Sequence, residues 1–175
     1  MLHQATGYAA TALGYIAAAG GKPVLVREIA EASAIPSPYL AKIVNALARK
    51  GVLNTQRGIG GGVTLARQAT AITLYDLCVA LDDTSVLPRC MLGTAECSDE
   101  RACPAHQFWS SMRTKYIEFL RMMTVADVAA FELRRRARAG LGPAAPTAHP
   151  QDEREAFLAS LMQPRLGPTN GTFAG

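Results

Sequence analysis

Aromatic residues are scarce in this chain, at 6%, and much of its 49% hydrophobic content is Ala, which favours helices over a sheet sandwich. Long apolar runs are also missing. The best stretch, Tyr8 to Gly21, falls short of the roughly 20 residues that cross a bilayer, and no cationic segment precedes it as a secretion signal requires. A cytoplasmic protein with no membrane partner is expected. Cysteines number four, and in a reducing compartment they make poor structural disulfides. Their spacing is therefore to be read for metal or redox chemistry.

The sequence offers no nucleophile motif and no paired-carboxylate site, so an enzyme is not expected. The glycine run Gly58-Ile59-Gly60-Gly61-Gly62 is not a phosphate-cradling P-loop, because no Lys-Ser or Lys-Thr follows and no helix opens after it.

Charge is unevenly distributed within the net +4. Met1 to Arg67 holds seven Lys and Arg against two Asp and Glu, whereas Gln68 to Cys103 holds two against six. A basic N-terminal third suits a polyanion such as DNA.

The periodicity predicts a helix over Ala5 to Ala19, ended by Gly20-Gly21, and a second over about Val26 to Ala32. A third is expected to start at Ser37 as N-cap, with Pro38 at the first helical position, and to run to about Lys50. Its apolar face is Leu40, Ile43, Val44 and Leu47, which leaves Tyr39, Lys42, Asn45 and Arg49 on the other side. Two extended runs, Val52 to Arg57 and Val63 to Ala66, flank the glycines and read as a hairpin. Thr73 with Asp76 reads as a capping box opening a helix to about Leu81. The segment from Asp82 to Ala102 has no periodicity. A long helix is expected from Pro104, and Thr124 with Asp127 caps another that reaches Arg138.

The expected fold is mostly α with a small β-hairpin wing, a winged helix-turn-helix followed by a long dimerisation helix. The expected organisation is a DNA-binding domain over residues 1–81, a cysteine loop over 82–103, dimerisation helices over 104–138 and a disordered tail over 139–175. Within that tail Glu153 to Met162 could form a short amphipathic segment.

In such a fold the third helix enters the major groove and its N-terminal residues reach base edges. Ser37, Pro38, Tyr39 and Lys42 occupy that end. Gly60 lets the wing tip turn tightly against DNA, and Arg57 beside it has the reach for a narrow minor groove. An operator of double-stranded DNA is the expected partner. In the long helix Phe108, Met112, Tyr116, Leu120 and Met123 form an apolar stripe that a second copy would cover, giving a homodimer.

Cys90, Cys97 and Cys103 are spaced C-x6-C-x5-C on the polar loop, and His106 follows near the helix start. Thiolates with an imidazole suit zinc or an iron-sulfur cluster. The helix N-terminus favours an anionic centre, whereas Glu96, Asp99 and Glu100 oppose one. No C-x2-C is present, so spacing alone does not choose the metal, and a thiol redox switch or a zinc site on the same DNA-binding fold stays open. A redox protein that does not bind DNA is a further alternative, but such carriers usually supply four thiolates and have no use for a basic wing. Cys78 lies among Leu74, Leu77 and Leu81 and reads as a buried hydrophobe.

These residues together resemble the Rrf2 family of bacterial transcription regulators. The resemblance covers about Met1 to Glu132 and rests on Gly7-Tyr8-Ala9, Ile29-Ala30, Ser37-Pro38-Tyr39-Leu40, Arg57 to Gly62 and the three loop cysteines. It implies a homodimeric repressor whose operator affinity is set by a [2Fe-2S] or [4Fe-4S] cluster sensing iron, redox state or nitric oxide. It also implies Cys90, Cys97 and Cys103 as ligands, with His106 matching the imidazole ligand of one branch. Members that draw the fourth ligand from the N-terminal helix often use an acidic residue, and here only His3, Gln4 and Tyr8 stand in that region. Ala41 stands where that branch has a Glu that discriminates operators, which implies a different target sequence.

Overall fold

The computed structural model describes residues 1–93 and 95–140. The expected tail beyond Gly140, with its amphipathic segment, lies outside them. Three helices open the chain: α1 (Gln4–Ala18), α2 (Val26–Ser33) and α3 (Ser37–Arg49). They bury Leu13, Ile16, Ile29, Leu40 and Leu47 against one another, the inward sectors that the 3.6-residue period marks. Ser37 is not the N-cap of α3. That place falls to Pro36, whose carbonyl already accepts from Tyr39 N and Leu40 N at 3.0 Å each, so Ser37 is the first helical residue and its hydroxyl makes no capping bond.

Strands β1 (Leu53–Gln56) and β2 (Gly62–Leu65) pair antiparallel with Leu53 opposite Leu65 and Gln56 opposite Gly62. Val52 and Ala66 prolong the pairing by one bond, Ala66 N–H donating to the Val52 carbonyl at 3.0 Å, while Arg57 falls outside β1 and Gly62 enters β2. The hairpin is tied to the head by Val24, whose N–H donates to the Val63 carbonyl at 3.1 Å while Val63 N–H donates back at 2.8 Å.

Helices α4 (Leu74–Ala80) and α6 (Val125–Arg138) each start at a complete capping box, Thr73 with Asp76 and Thr124 with Asp127. Between them runs α5 (His106–Met122). The elbow joining α5 to α6 is stitched to the approach to α4. Leu74 N–H donates to the Met123 carbonyl at 2.9 Å, and Val125 N–H to the Ile72 carbonyl at 2.8 Å. Helix α6 then packs on α1 so closely that a Cβ at Gly14 would lie 2.8 Å from Val128 Cγ1, and Val125 and Ala129 are buried there.

This packing corrects the apolar stripe expected on α5. Leu120 is 1% exposed and belongs to the chain's own core, with Tyr116 and Met123 partly buried against it. The side chains left outside are Phe108, Met112, Phe119 and Met122. At about 100° per residue these four share one narrow sector of the helix, adjacent to the sector that α4 covers.

One buried carboxylate joins the start of the chain to the root of the cysteine loop. Asp83, 2% exposed, accepts from Thr6 Oγ1 at 2.6 Å, Ser85 N–H at 2.8 Å and His3 N–H at 2.9 Å. Helix α1 has no acidic residue in its first turn and no side-chain cap from its own N-cap. Asp83 supplies from a distant element the anion that a helix N-terminus favours. Its burial opposes ionisation, but the hydrogen bonds from Thr6, Ser85 and His3 outweigh that cost and hold the carboxyl down to about 2.

Candidate functional site

Helix α3 turns Leu40, Ile43, Val44 and Leu47 inward and leaves Ser37, Pro38, Tyr39 and Lys42 exposed along its outer face. Tyr39 also meets Tyr8 of α1 edge-on, with ring centroids 5.7 Å apart, so part of its ring braces α3 against α1 rather than facing outward. Arg57 is exposed at the end of β1, beside Gly58 and Gly60, both in the left-handed region (φ 93° and 83°). The groove between α3 and the wing is lined by Ala41, Asn45, Thr55, Gln56 and Arg57. Asn45 and Thr55 were not among the expected contacts, because only the hairpin's position against α3 brings them to the same groove.

Gly61 is the tight point of the wing. A Cβ there would overlap the Gln56 carbonyl oxygen and stand 2.9 Å from both Arg57 C and Gly58 O, all of them backbone atoms. Backbone cannot rotate away as a side chain can, so Gly61→Ala is expected to reshape the wing. Far-ultraviolet circular dichroism should change little, since the wing is small, while duplex binding should weaken by about tenfold, equivalent to losing one or two phosphate contacts.

The cysteine loop folds back on itself. Arg89 bridges Glu96 antiparallel, Cys90 N–H donates to the Ala95 carbonyl at 2.9 Å, and Cys97 N–H donates to the Pro88 carbonyl at 2.8 Å. Its first arm is fastened to α5, where Trp109 Nε1 donates to the Arg89 carbonyl at 2.8 Å and Arg113 to the carbonyls of Val86 and Leu87.

This arrangement brings all three loop cysteines to one cavity of about 330 Å³, with Arg101 on its wall. Cys90 Sγ and Cys103 Sγ are 3.8 Å apart. Cys97 Sγ lies 3.3 Å from His106 Nδ1, and the far side of that ring, Nε2, is 2.8 Å from Asp99 Oδ1. Asp99 thus meets the ring on its Nε2 side, and the other ring nitrogen, Nδ1, faces the cysteine. A carboxylate behind an imidazole is the usual support of a metal-binding His. The loop acids look adverse to an anionic centre in the sequence, yet Asp99 has this supporting place.

Hydrogen bonding from the backbone at Leu92 lowers the Cys90 thiol below its ordinary pKa, assisted by Cys103, Gly93 and Arg101 against the pull of desolvation. Desolvation, together with the neighbouring Cys90 and Cys103, raises Cys97. Cys78 stands apart, fully buried in α4, where burial and the nearby Asp83 push its thiol up to about 11.

A three-helix head with an exposed third helix and a glycine-tipped hairpin defines a winged helix-turn-helix regulator. Among the described residues no helix is long and apolar enough to cross a membrane. The chain belongs to the Rrf2 family: the model described as an iron-dependent transcriptional regulator matches residues 2–130. The family is one of transcription regulators, not enzymes. The chain is 32% identical over 127 residues to a putative HTH-type transcriptional regulator of Aquifex aeolicus (strain VF5), covering 71% of this chain and 88% of that one. It is 31% identical over 126 residues to the HTH-type transcriptional regulator IscR of Sodalis glossinidius (strain morsitans), covering 71% and 76%. In three dimensions it matches CymR (YrzC), the global cysteine regulator of B. subtilis, with a TM-score of 0.63 over 75% of this chain and 97% of that one. At 23% identity this last likeness is one of fold.

Proposed function

We propose that the protein is a homodimeric repressor that reads double-stranded DNA with α3 and the wing, and that an iron-sulfur cluster held by Cys90, Cys97, Cys103 and His106 sets its affinity. The observation that carries this is the meeting of three thiols at a single cavity, with a supported imidazole 3.3 Å from one of them, on a loop pinned to α5.

The donors fit such a group. Among the described residues no three His, Cys, Asp or Glu side chains are set to hold one metal ion. They come instead as two pairs, Cys90 with Cys103 and Cys97 with His106. A two-iron cluster takes two protein ligands on each iron. Two sulfurs on one tetrahedral metal stand about 3.8 Å apart at bond lengths near 2.3 Å, and the first pair already has that separation. When bound, the cluster supplies a centre that reacts with oxidants or nitric oxide and responds to iron supply. The chain's part is to orient His106 through Asp99, to leave the cavity open on a polar loop, and to fasten that loop to α5 through Trp109 and Arg113.

Lys42 and Arg57 are the proposed phosphate and groove contacts, with Ser37, Pro38, Tyr39 and Gly60 shaping the approach. Lys42→Ala and Arg57→Ala should each weaken duplex binding several-fold and reduce the salt slope by about 1. Unchanged slopes in both would remove this docking mode. The cluster is tested by anaerobic purification with iron and sulfide analysis, followed by binding of cluster-loaded and stripped protein to a duplex selected from random DNA. The expected result is stoichiometric iron and sulfide and a different affinity for the two forms. A protein without iron or sulfide that cannot be reconstituted ends the cluster reading.

A further inference from the structure

We infer that in the cluster-free chain Cys90 and Cys103 are the pair that a peroxide converts to an intramolecular disulfide, while Cys97 stays a free thiol. The inference concerns the same site as the proposed cluster but requires only the sulfur geometry, so either can fail without the other.

Cys90 Sγ and Cys103 Sγ are in contact at 3.8 Å, so a disulfide bond of about 2.05 Å asks the two sulfurs to close by less than about 2 Å. Cys97 is directed elsewhere, against His106 Nδ1 at 3.3 Å, and that imidazole is in turn anchored by Asp99 at 2.8 Å. All three thiols are partly exposed around the same cavity, so a small oxidant reaches them without unfolding the loop. Selectivity then comes from which sulfur has a second sulfur beside it. Cys78 is excluded by its burial in α4.

The chemistry balances with hydrogen peroxide as the oxidant. One thiolate of the pair attacks a peroxide oxygen, the O–O bond breaks, hydroxide leaves and the sulfur becomes a sulfenic acid. The second thiol attacks that sulfur, an S–S bond replaces the S–O bond, and water leaves. Two thiols and one peroxide become one disulfide and two waters.

The staple would join the start of the loop to the residue just before the first turn of α5. It would keep the loop folded while removing two of its sulfur donors. Oxidised protein should therefore refuse iron and sulfide until a thiol reductant is added, which would couple recovery of the cluster site to the cell's thiol pool.

The experiment uses the full chain, stripped of iron anaerobically, treated with equimolar hydrogen peroxide, alkylated and digested with trypsin. Cleavage after Arg89 and Arg101 leaves Cys90 and Cys97 on one peptide and Cys103 on the next. A disulfide from Cys103 to either partner links the two peptides, so variants decide between them. The link is expected in the parent chain and in Cys97→Ser, absent in Cys90→Ser and Cys103→Ser, and reversed by dithiothreitol. Loss of the link in Cys97→Ser, its survival in Cys90→Ser, or oxidation to sulfinic and sulfonic acids with no link would overturn the inference. A chain that forms the link yet never takes up iron would sink the cluster alone.

Discussion

Asp83→Ala should lower the unfolding free energy by about 3 kcal/mol and the melting temperature by roughly 10 °C, although its side chain touches neither the proposed DNA face nor the three loop cysteines. The side chain accepts three hydrogen bonds, and with it gone the buried Thr6 hydroxyl and the N–H groups of His3 and Ser85 lose their acceptor together. Each donor left dry costs about 1 to 3 kcal/mol, and water entering the space recovers part of that.

The pH dependence gives an independent check. The folded carboxyl ionises at about 2 against an ordinary 3.8. A depressed acid contributes stability that is fully present above its unfolded pKa and is lost as pH falls through the folded value. The contribution, about 2 kcal/mol, should therefore disappear between pH 4 and pH 2 in the parent chain and be missing from the variant. Urea titrations of both chains across that window measure the difference. Parallel curves would show that the carboxylate is not held as the structure places it.

The role of Asp83 is illegible in the sequence because His3 and Thr6 lie about 80 residues away, and a lone Asp in an aperiodic segment looks like solvent-facing loop. Features written locally were easy to see. The boxes at Thr73 and Thr124 need only a hydroxyl and a carboxylate three residues apart, and both occur as expected. Cys78 was legible as a core residue from the leucines around it. The cap of α3 was misplaced by one residue, since a Ser before a Pro carries the usual signal and nothing local shows that the Pro36 carbonyl starts the helix earlier. In the cysteine loop the donors were visible from residue type, but their division into two pairs and the support Asp99 gives His106 depend on the fold-back of the loop. Helix α5 has two neighbouring apolar sectors. Periodicity cannot tell which of them the chain covers with its own α4 and which it leaves outside, and so the expected stripe joins the buried Leu120 and the partly buried Tyr116 and Met123 to the exposed Phe108 and Met112.

That division of α5 leads to the second large effect. Met112→Glu combined with Phe119→Glu should turn a micromolar dimer into a folded monomer and weaken operator binding by about 100-fold or more. The proposed interface is the outward sector, where Phe119 is 54% exposed and Met112 49% within one chain. Phe108 and Met122 extend it along most of the helix. Two large apolar side chains replaced by carboxylates at a desolvated contact leave charges with no partner, a cost that dissociation relieves. In the isolated chain the same positions already face water, so stability and helical content should hold. The loss in DNA binding follows from avidity: a dimer places its second reading head at millimolar effective concentration once the first is bound, and a monomer forgoes this without losing any contact of its own. Leu120→Ala supplies the contrast. At 1% exposure within the chain's own core it should cost about 2 to 5 kcal/mol of stability and leave the native protein dimeric. Sedimentation at micromolar concentration reads both variants directly. A double Glu variant that remains a dimer would move the interface off α5, and a Leu120→Ala variant that dissociates while keeping its stability would restore that residue to the interface.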